Sequence, residues 1–163
     1  MSHWKERAKS QQVQWKAATA ALSEEAREDG TYFVKKDGRA GQVTWQESEK
    51  AYAHCLPRAA AAQNLLAGVR EEALTRFQRY GIVWHGETPR AGVGGDAGPT
   101  TNLLSSQIQC VNALLSLEMA PAALLARVQT VEPGARKLIP IRHTNQAKPE
   151  GLVAFEWIGR KNY

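Results

Sequence analysis

Residues 152–158, Leu-Val-Ala-Phe-Glu-Trp-Ile, are the densest apolar and aromatic run in the chain and read as a buried β-strand. A strand buried on both faces must pair along both edges, because each amide or carbonyl held from water without a partner costs free energy. Partners are scarce. Thr31-Tyr32-Phe33-Val34, Ile82-Val83-Trp84-His85 and Lys137-Leu138-Ile139-Pro140-Ile141 have the content of short extended pieces, and little else does. Either these segments supply the sheet, or the sheet that 152–158 belongs to is left out.

The remainder is written for helix. Trp4 to about Asp29 is rich in Ala, Gln, Glu, Lys and Arg, which predicts a polar helix ended by Asp29-Gly30. Its apolar positions are sparse (Trp4, Ala8, Val13, Trp15, Ala18, Leu22, Ala26), so it must lie against a partner surface or fray. Residues 42–57 read as a short helix begun by Thr44, with Glu47 in the capping-box position and a stop before Pro57. Ala59 to Tyr80 carries Leu65, Leu66, Val69, Ala73 and Phe77 at helical spacing, with Gly81 as its stop. Residues 86–101 contain five of the thirteen glycines and read as a surface loop. Gly92-Val93-Gly94-Gly95 lacks the Gly-Lys-Ser/Thr ending of a phosphate-binding loop. Asn102 or Ser105 caps a helix from Leu103 to about Glu118 with the stripe Leu104, Ile108, Val111 and Leu115, and Pro121 opens another that runs to about Val131.

Composition narrows the class. With 163 residues, 43% hydrophobic and 23% charged, the chain can bury one core and is not an extended disordered segment. No apolar run reaches the roughly 20 residues of a membrane span. The first thirty residues show no secretory signal, and Cys55 and Cys110 lack the spacing of a disulfide framework or zinc site. The expectation is a reduced, cytoplasmic chain without a membrane partner. The net charge is +5, and the C-terminal end is the more basic: Arg136, Lys137, Arg142, Lys148, Arg160 and Lys161 face Glu132, Glu150 and Glu156. That suits an anionic partner such as nucleic acid. Taken alone, a solvated basic face explains it more simply.

Few residues offer chemistry. His85 beside the glycine-rich loop reads first as a structural imidazole. His54 and Cys55 are neighbours on an expected helix and point apart, which argues against a nucleophile pair. Cys110 reads as a core residue, and His3 and His143 have no company suggesting ligation. Gln107 and Asn112 are amides on an otherwise apolar helix and need partners in the core or on a ligand. Glu156 inside an apolar strand must be paired, bind a metal or face out, and for an isolated sheet edge it faces out.

Several stretches recur together in a known pattern: Lys5-Glu6-Arg7, Asp29-Gly30-Thr31-Tyr32, Cys55-Leu56-Pro57, Asn64-Leu65, Val69-Arg70-Glu71-Glu72-Ala73-Leu74, Phe77 and Ile82-Val83-Trp84-His85. The more specific ones are Ser105-Ser106-Gln107-Ile108-Gln109-Cys110-Val111-Asn112, then Leu138-Ile139-Pro140-Ile141, and Phe155-Glu156-Trp157-Ile158-Gly159 with Asn162-Tyr163. In this order, over nearly the whole chain, they resemble the N-terminal portion of a family of bacterial restriction endonucleases in the PD-(D/E)XK nuclease superfamily. The resemblance implies a mainly α chain with a few short strands, holding an incomplete α/β (α+β) restriction-endonuclease-like core. Residues 1–101 would be a helical N-terminal region with its glycine-rich loop at 86–101, and 102–163 the start of the core, as helix, helix and first strand.

In that superfamily an Asp on the second core strand and a Glu-x-Lys on the third bind a divalent metal, which with the Lys activates water against a phosphodiester. In the relatives these strands follow the Phe-Glu-Trp-Ile-Gly segment. Here no such pair stands on a buried strand, Glu6-Arg7-Ala8-Lys9 being a near miss. The expectation is an N-terminal fragment inactive alone, with Glu156 and Gln107 as accessory remnants of the active-site wall. Arg160, Lys161 and Asn112 are the expected nucleic-acid contacts. The resemblance implies Mg2+ for the full-length family, with none held tightly by this chain. It also implies double-stranded DNA as partner, with a C-terminal catalytic segment or a second copy of the chain. The alternative is a non-catalytic DNA- or protein-binding module working with a separate catalytic chain.

Overall fold

In the computed structural model, which describes residues 3–37, 43–80, 82, 84, 98–140 and 151–153, helix dominates as the sequence predicts. The helices are α1 (His3–Ala18), α2 (Arg70–Tyr80), α3 (Ser106–Glu118) and α4 (Pro121–Gln129), with 3-10 turns at Glu25–Arg27 and Arg58–Asn64. Among the described residues the sheet is a single antiparallel pair, β1 (Phe33–Asp37) and β2 (Val43–Glu47), in which Phe33 lies opposite Glu47 and Asp37 opposite Val43. The chain divides into two compact units, Met1–Cys110 and Val111–Tyr163.

In the first unit three expected helices are redrawn. The polar helix stops at Ala18 and not near Asp29. Thr19 and Ser23 bring hydroxyls that compete for backbone amides: Ala21 N–H donates to Thr19 Oγ1 at 3.2 Å and Ala26 N–H to Ser23 Oγ at 3.3 Å. The turn this makes delivers Leu22 and Ala26 to a buried cluster with Leu56, Ala60 and Leu103.

The helix expected over 42–57 is instead strand β2 followed by turns. Thr44 does not cap a helix; it lies opposite Lys36 in the ladder. Val43, Thr44 and Trp45 are β-branched and aromatic, and an available partner strand lets that preference win.

The helix expected over Ala59–Tyr80 breaks between Asn64 and Arg70. At the break Asn64 is buried, its amide donating to Thr100 O at 2.7 Å and Asn102 O at 3.1 Å. The expected stripe is kept at Leu65, Val69, Ala73 and Phe77, whereas Leu66 is exposed. Beyond α2, Ile82 N–H donates to Phe77 O at 2.9 Å, and Trp84 lies flat on Phe77 with ring centroids 3.7 Å apart. Each large side chain removed from water here, Phe77, Leu56, Leu65 and Leu103 among them, contributes roughly 1.5–3 kcal/mol.

Of the two expected caps, Ser105 serves α3, its Oγ accepting from Ile108 N–H at 3.4 Å. Asn102 makes the turn before it, accepting from Leu104 N–H at 2.9 Å. Leu103, ahead of the helix, is buried in place of Leu104.

In the second unit Val111, Leu115 and Leu124 are buried. Pro121 opens α4 at its first turn, as expected, and the helix closes at Gln129 as Thr130 Oγ1 donates to Arg127 O at 2.7 Å. Gln129 Nε2 then reaches Ala135 O at 2.9 Å. The extended piece expected from Lys137 joins no ladder through Pro140. Of the strand expected at 152–158, Leu152 and Val153 are described; their amides both donate to the Glu118 carboxylate. Residues 154–158 lie outside the described residues, as do Gly81, His85, Ile141 and most of the glycine-rich stretch. Among the described residues no single helix is long and apolar enough to cross a membrane.

Candidate functional site

The residues singled out from sequence scatter. Gln107 is buried at the start of α3, and Asn112 is half-buried five positions on, about 140° further round the helix. The two therefore do not face one point. Glu156, Arg160 and Lys161 lie outside the described residues. Cys110 is exposed, correcting its reading as a core residue, because it sits on α3 away from Ile108 and Val111. Among the described residues no group of three or more His, Cys, Asp or Glu is placed to hold a metal ion.

What the first unit does bring together is a charged and aromatic cluster that sequence reasoning passed over. Its centre is Lys16, the buried residue of α1, only 3% exposed. Its ammonium donates to Glu28 O at 2.5 Å, Cys55 O at 2.7 Å and Ala53 O at 3.1 Å, and the Asp29 carboxylate stands 3.8 Å away. An ammonium has three N–H groups, and each finds a carbonyl. This offsets part of the cost of taking the charge out of water. Burial pushes the Lys16 pKa below its usual value, against the opposing fields of Asp29, Cys55 and Glu28.

The carbonyls converge because backbone bridges fix the segment that carries them. Gly30 and Tyr52 exchange bonds (Gly30 N–H to Tyr52 O at 3.3 Å, Tyr52 N–H to Gly30 O at 2.8 Å), and Gly30 N–H also reaches Cys55 O at 3.1 Å. Only glycine fits at position 30, since a Cβ there would lie 1.8 Å from Leu56 O. On the other side Leu56 N–H donates to Thr101 O at 2.9 Å and Leu103 N–H to His54 O at 3.1 Å.

The same bridges set Tyr32, Tyr52 and His54 side by side, all half-buried. The Tyr32–Tyr52 centroids are 5.1 Å apart, Tyr52–His54 5.5 Å and Tyr32–His54 6.3 Å, the rings tilted by 51–60°. Lys50 Nζ lies 5.2 Å from the Tyr52 ring centre. Burial, with Tyr52 nearby, raises the Tyr32 pKa. Burial also lowers that of His54, helped by the positive fields of Lys9 and Lys16 and opposed by Glu6 and Asp29. His54 thus stands in a positive field that disfavours its charged form. Rings beside ammonium groups suit binding of an anionic, aromatic ligand. The one sequence signal was the alternation Tyr52-x-His54, which a helical reading of 42–57 concealed.

A family model described as Restriction Endonuclease associating with ARP matches residues 9–163. No curated protein and no solved structure matches the chain.

Proposed function

Since the chain belongs to the family of restriction endonucleases associating with ARP, we propose that it is a restriction-system component that holds double-stranded DNA. The observation that carries this reading is the family match, which takes in both compact units. Charge supports it: the net +5 includes Arg127, Arg136 and Lys137, all exposed on the second unit.

Within this reading the chain holds DNA and does not cut it alone. Several of the described carboxylates are engaged in structural contacts: Glu6 with Lys9, Asp29 with Lys16, Glu47 with Arg58 and Thr31, Glu72 with Arg76, and Glu118 with the amides of Leu152 and Val153. A PD-(D/E)XK-type core remains the fold we assign to the part of the chain from residue 102. In it Arg160, Lys161 and Asn112 would contact DNA, and Glu156 and Gln107 would line the wall beside the reacting phosphodiester. Mg2+ would enter with the Asp and Glu-x-Lys strands of a full-length catalytic assembly, contributed by a further segment or chain. Two free cysteines and a DNA partner fit work in the cytoplasm.

Fluorescence anisotropy on a labelled duplex tests the reading. Binding should weaken steeply with salt, and replacing Arg160 and Lys161 by Ala should weaken it at every sequence tried. Salt-independent or undetectable binding refutes it. With Mg2+ and plasmid DNA the purified chain should leave the supercoiled form intact; metal-dependent nicking lost in Glu156→Ala would overturn the non-catalytic assignment.

A further inference from the structure

Resting on the DNA reading above, we infer that Tyr32, Tyr52 and His54, with Lys50 over Tyr52 and Lys9 on α1, form a subsite for one unpaired nucleotide of a DNA strand. The rings would take the base and the lysines its phosphate. Four observations converge on it. The three rings stay half-exposed and are not members of the buried cluster of Leu22, Ala26, Leu56, Ala60 and Leu103. Their mutual tilts of 51–60° leave none of the three stacked flat on another. Among the described residues no hydrogen bond holds a ring nitrogen of His54, leaving one donor and one acceptor for the edge of a base.

The fourth observation is electrostatic. Lys50 lies over Tyr52, and the fields of Lys9 and Lys16 both reach His54. All three N–H groups of Lys16 are taken by carbonyls, so it contributes charge but no contact. Lys9, bonded to Glu6 at 3.2 Å on an exposed helix turn, can exchange that weak surface pair for a phosphate.

Size selects the ligand. Three rings within 6.3 Å of one another match one base, not a groove. A duplex keeps its base faces stacked inside and offers only edges, whereas an unpaired strand offers a face at every position. The platform is rigid, pinned by the Gly30–Tyr52 bridge and by Leu103 N–H on His54 O, so little ordering is lost on binding.

The test is anisotropy with a labelled oligothymidine and, in parallel, a labelled duplex. Tyr52→Leu should weaken oligothymidine binding about tenfold, in the range expected for one lost base–aromatic stack, and change duplex binding far less. Replacing Lys9 and Lys50 together by Ala should weaken it too and flatten its salt dependence. Should Tyr52→Leu lose its helical circular dichroism, the lysine pair decides. Variants that keep their helicity and bind oligothymidine like the wild type overturn the subsite, and the DNA reading survives if the duplex is still bound. Failure of the wild type to bind either DNA overturns both.

Discussion

Replacing Lys16 by Met keeps the side chain's reach and apolar stem and deletes the ammonium. Three charge-assisted bonds disappear, to Glu28 O, Ala53 O and Cys55 O. Cys55 O keeps a second donor in Gly30 N–H, so it is the least harmed of the three. A hydrogen bond to a charged group contributes roughly 1.5–3 kcal/mol, and a buried charge relieved of its desolvation cost returns part of that. The net loss should be about 2–4 kcal/mol by urea denaturation, provided α1 unfolds with the rest of the first unit. It need not. Lys16 is the buried residue of this 16-residue helix, and isolated helices of that length are marginal in water. The deficit should therefore show first as lost hydrogen-exchange protection of α1 amides. Lys16→Arg should recover part of the loss, because a planar guanidinium cannot place three donors around one point. The pH dependence has a definite sign. The folded pKa lies below 10.5, so the desolvation penalty is complete below the folded value and is relieved as pH rises toward 10.5. Across that alkaline window the wild type should gain stability relative to Lys16→Met. Unchanged urea midpoint and unchanged α1 protection in Lys16→Met would refute the reasoning.

Three further outcomes follow from the geometry. The His54 pKa is held below 6.5, so the unfolded chain takes up the proton first and stability should fall as pH drops from 6.5 into that window; acid titration of His54→Gln should be flatter. Gly30→Ala places a methyl 1.8 Å from Leu56 O and should cost roughly 3 kcal/mol or more, read as a lowered melting temperature with loss of the Gly30–Tyr52 bridge. Asn64→Ala removes both donors to Thr100 O and Asn102 O and should cost about 1–3 kcal/mol in chemical denaturation, while an Asn64→Ala chain as stable as the wild type would mean those carbonyls find water.

Where packing repeats with the helix, the sequence was readable. Ala73 and Phe77 on α2, and Ile108, Val111 and Leu115 on α3, are spaced for one face and are buried there. Pro121 announced α4 for the same local reason. Thr44 and Glu47 misled, since they reproduce a helix-start signature that is local, while the ladder to Lys36 and Phe33 that overrides it is not. The candidate site was hidden for a similar reason. Lys16 looks like any lysine on a polar helix; its burial depends on carbonyls 12, 37 and 39 positions away. Tyr32, Tyr52 and His54 meet only because Gly30 bridges to Tyr52. The sites expected from resemblance rested on residue identity alone, and identity does not say which side chains converge.

Both flanks of the glycine-rich stretch are tied to the first unit. On one side Trp84 lies on Phe77; on the other, Thr100 and Asn102 hold Asn64, and Thr101 and Leu103 join Leu56 and His54. Closing a chain between two fixed ends costs only about 0.6 kcal/mol more for each doubling of its length. The fastening itself therefore sets the register in which residues 100–103 meet Asn64, Leu56 and His54.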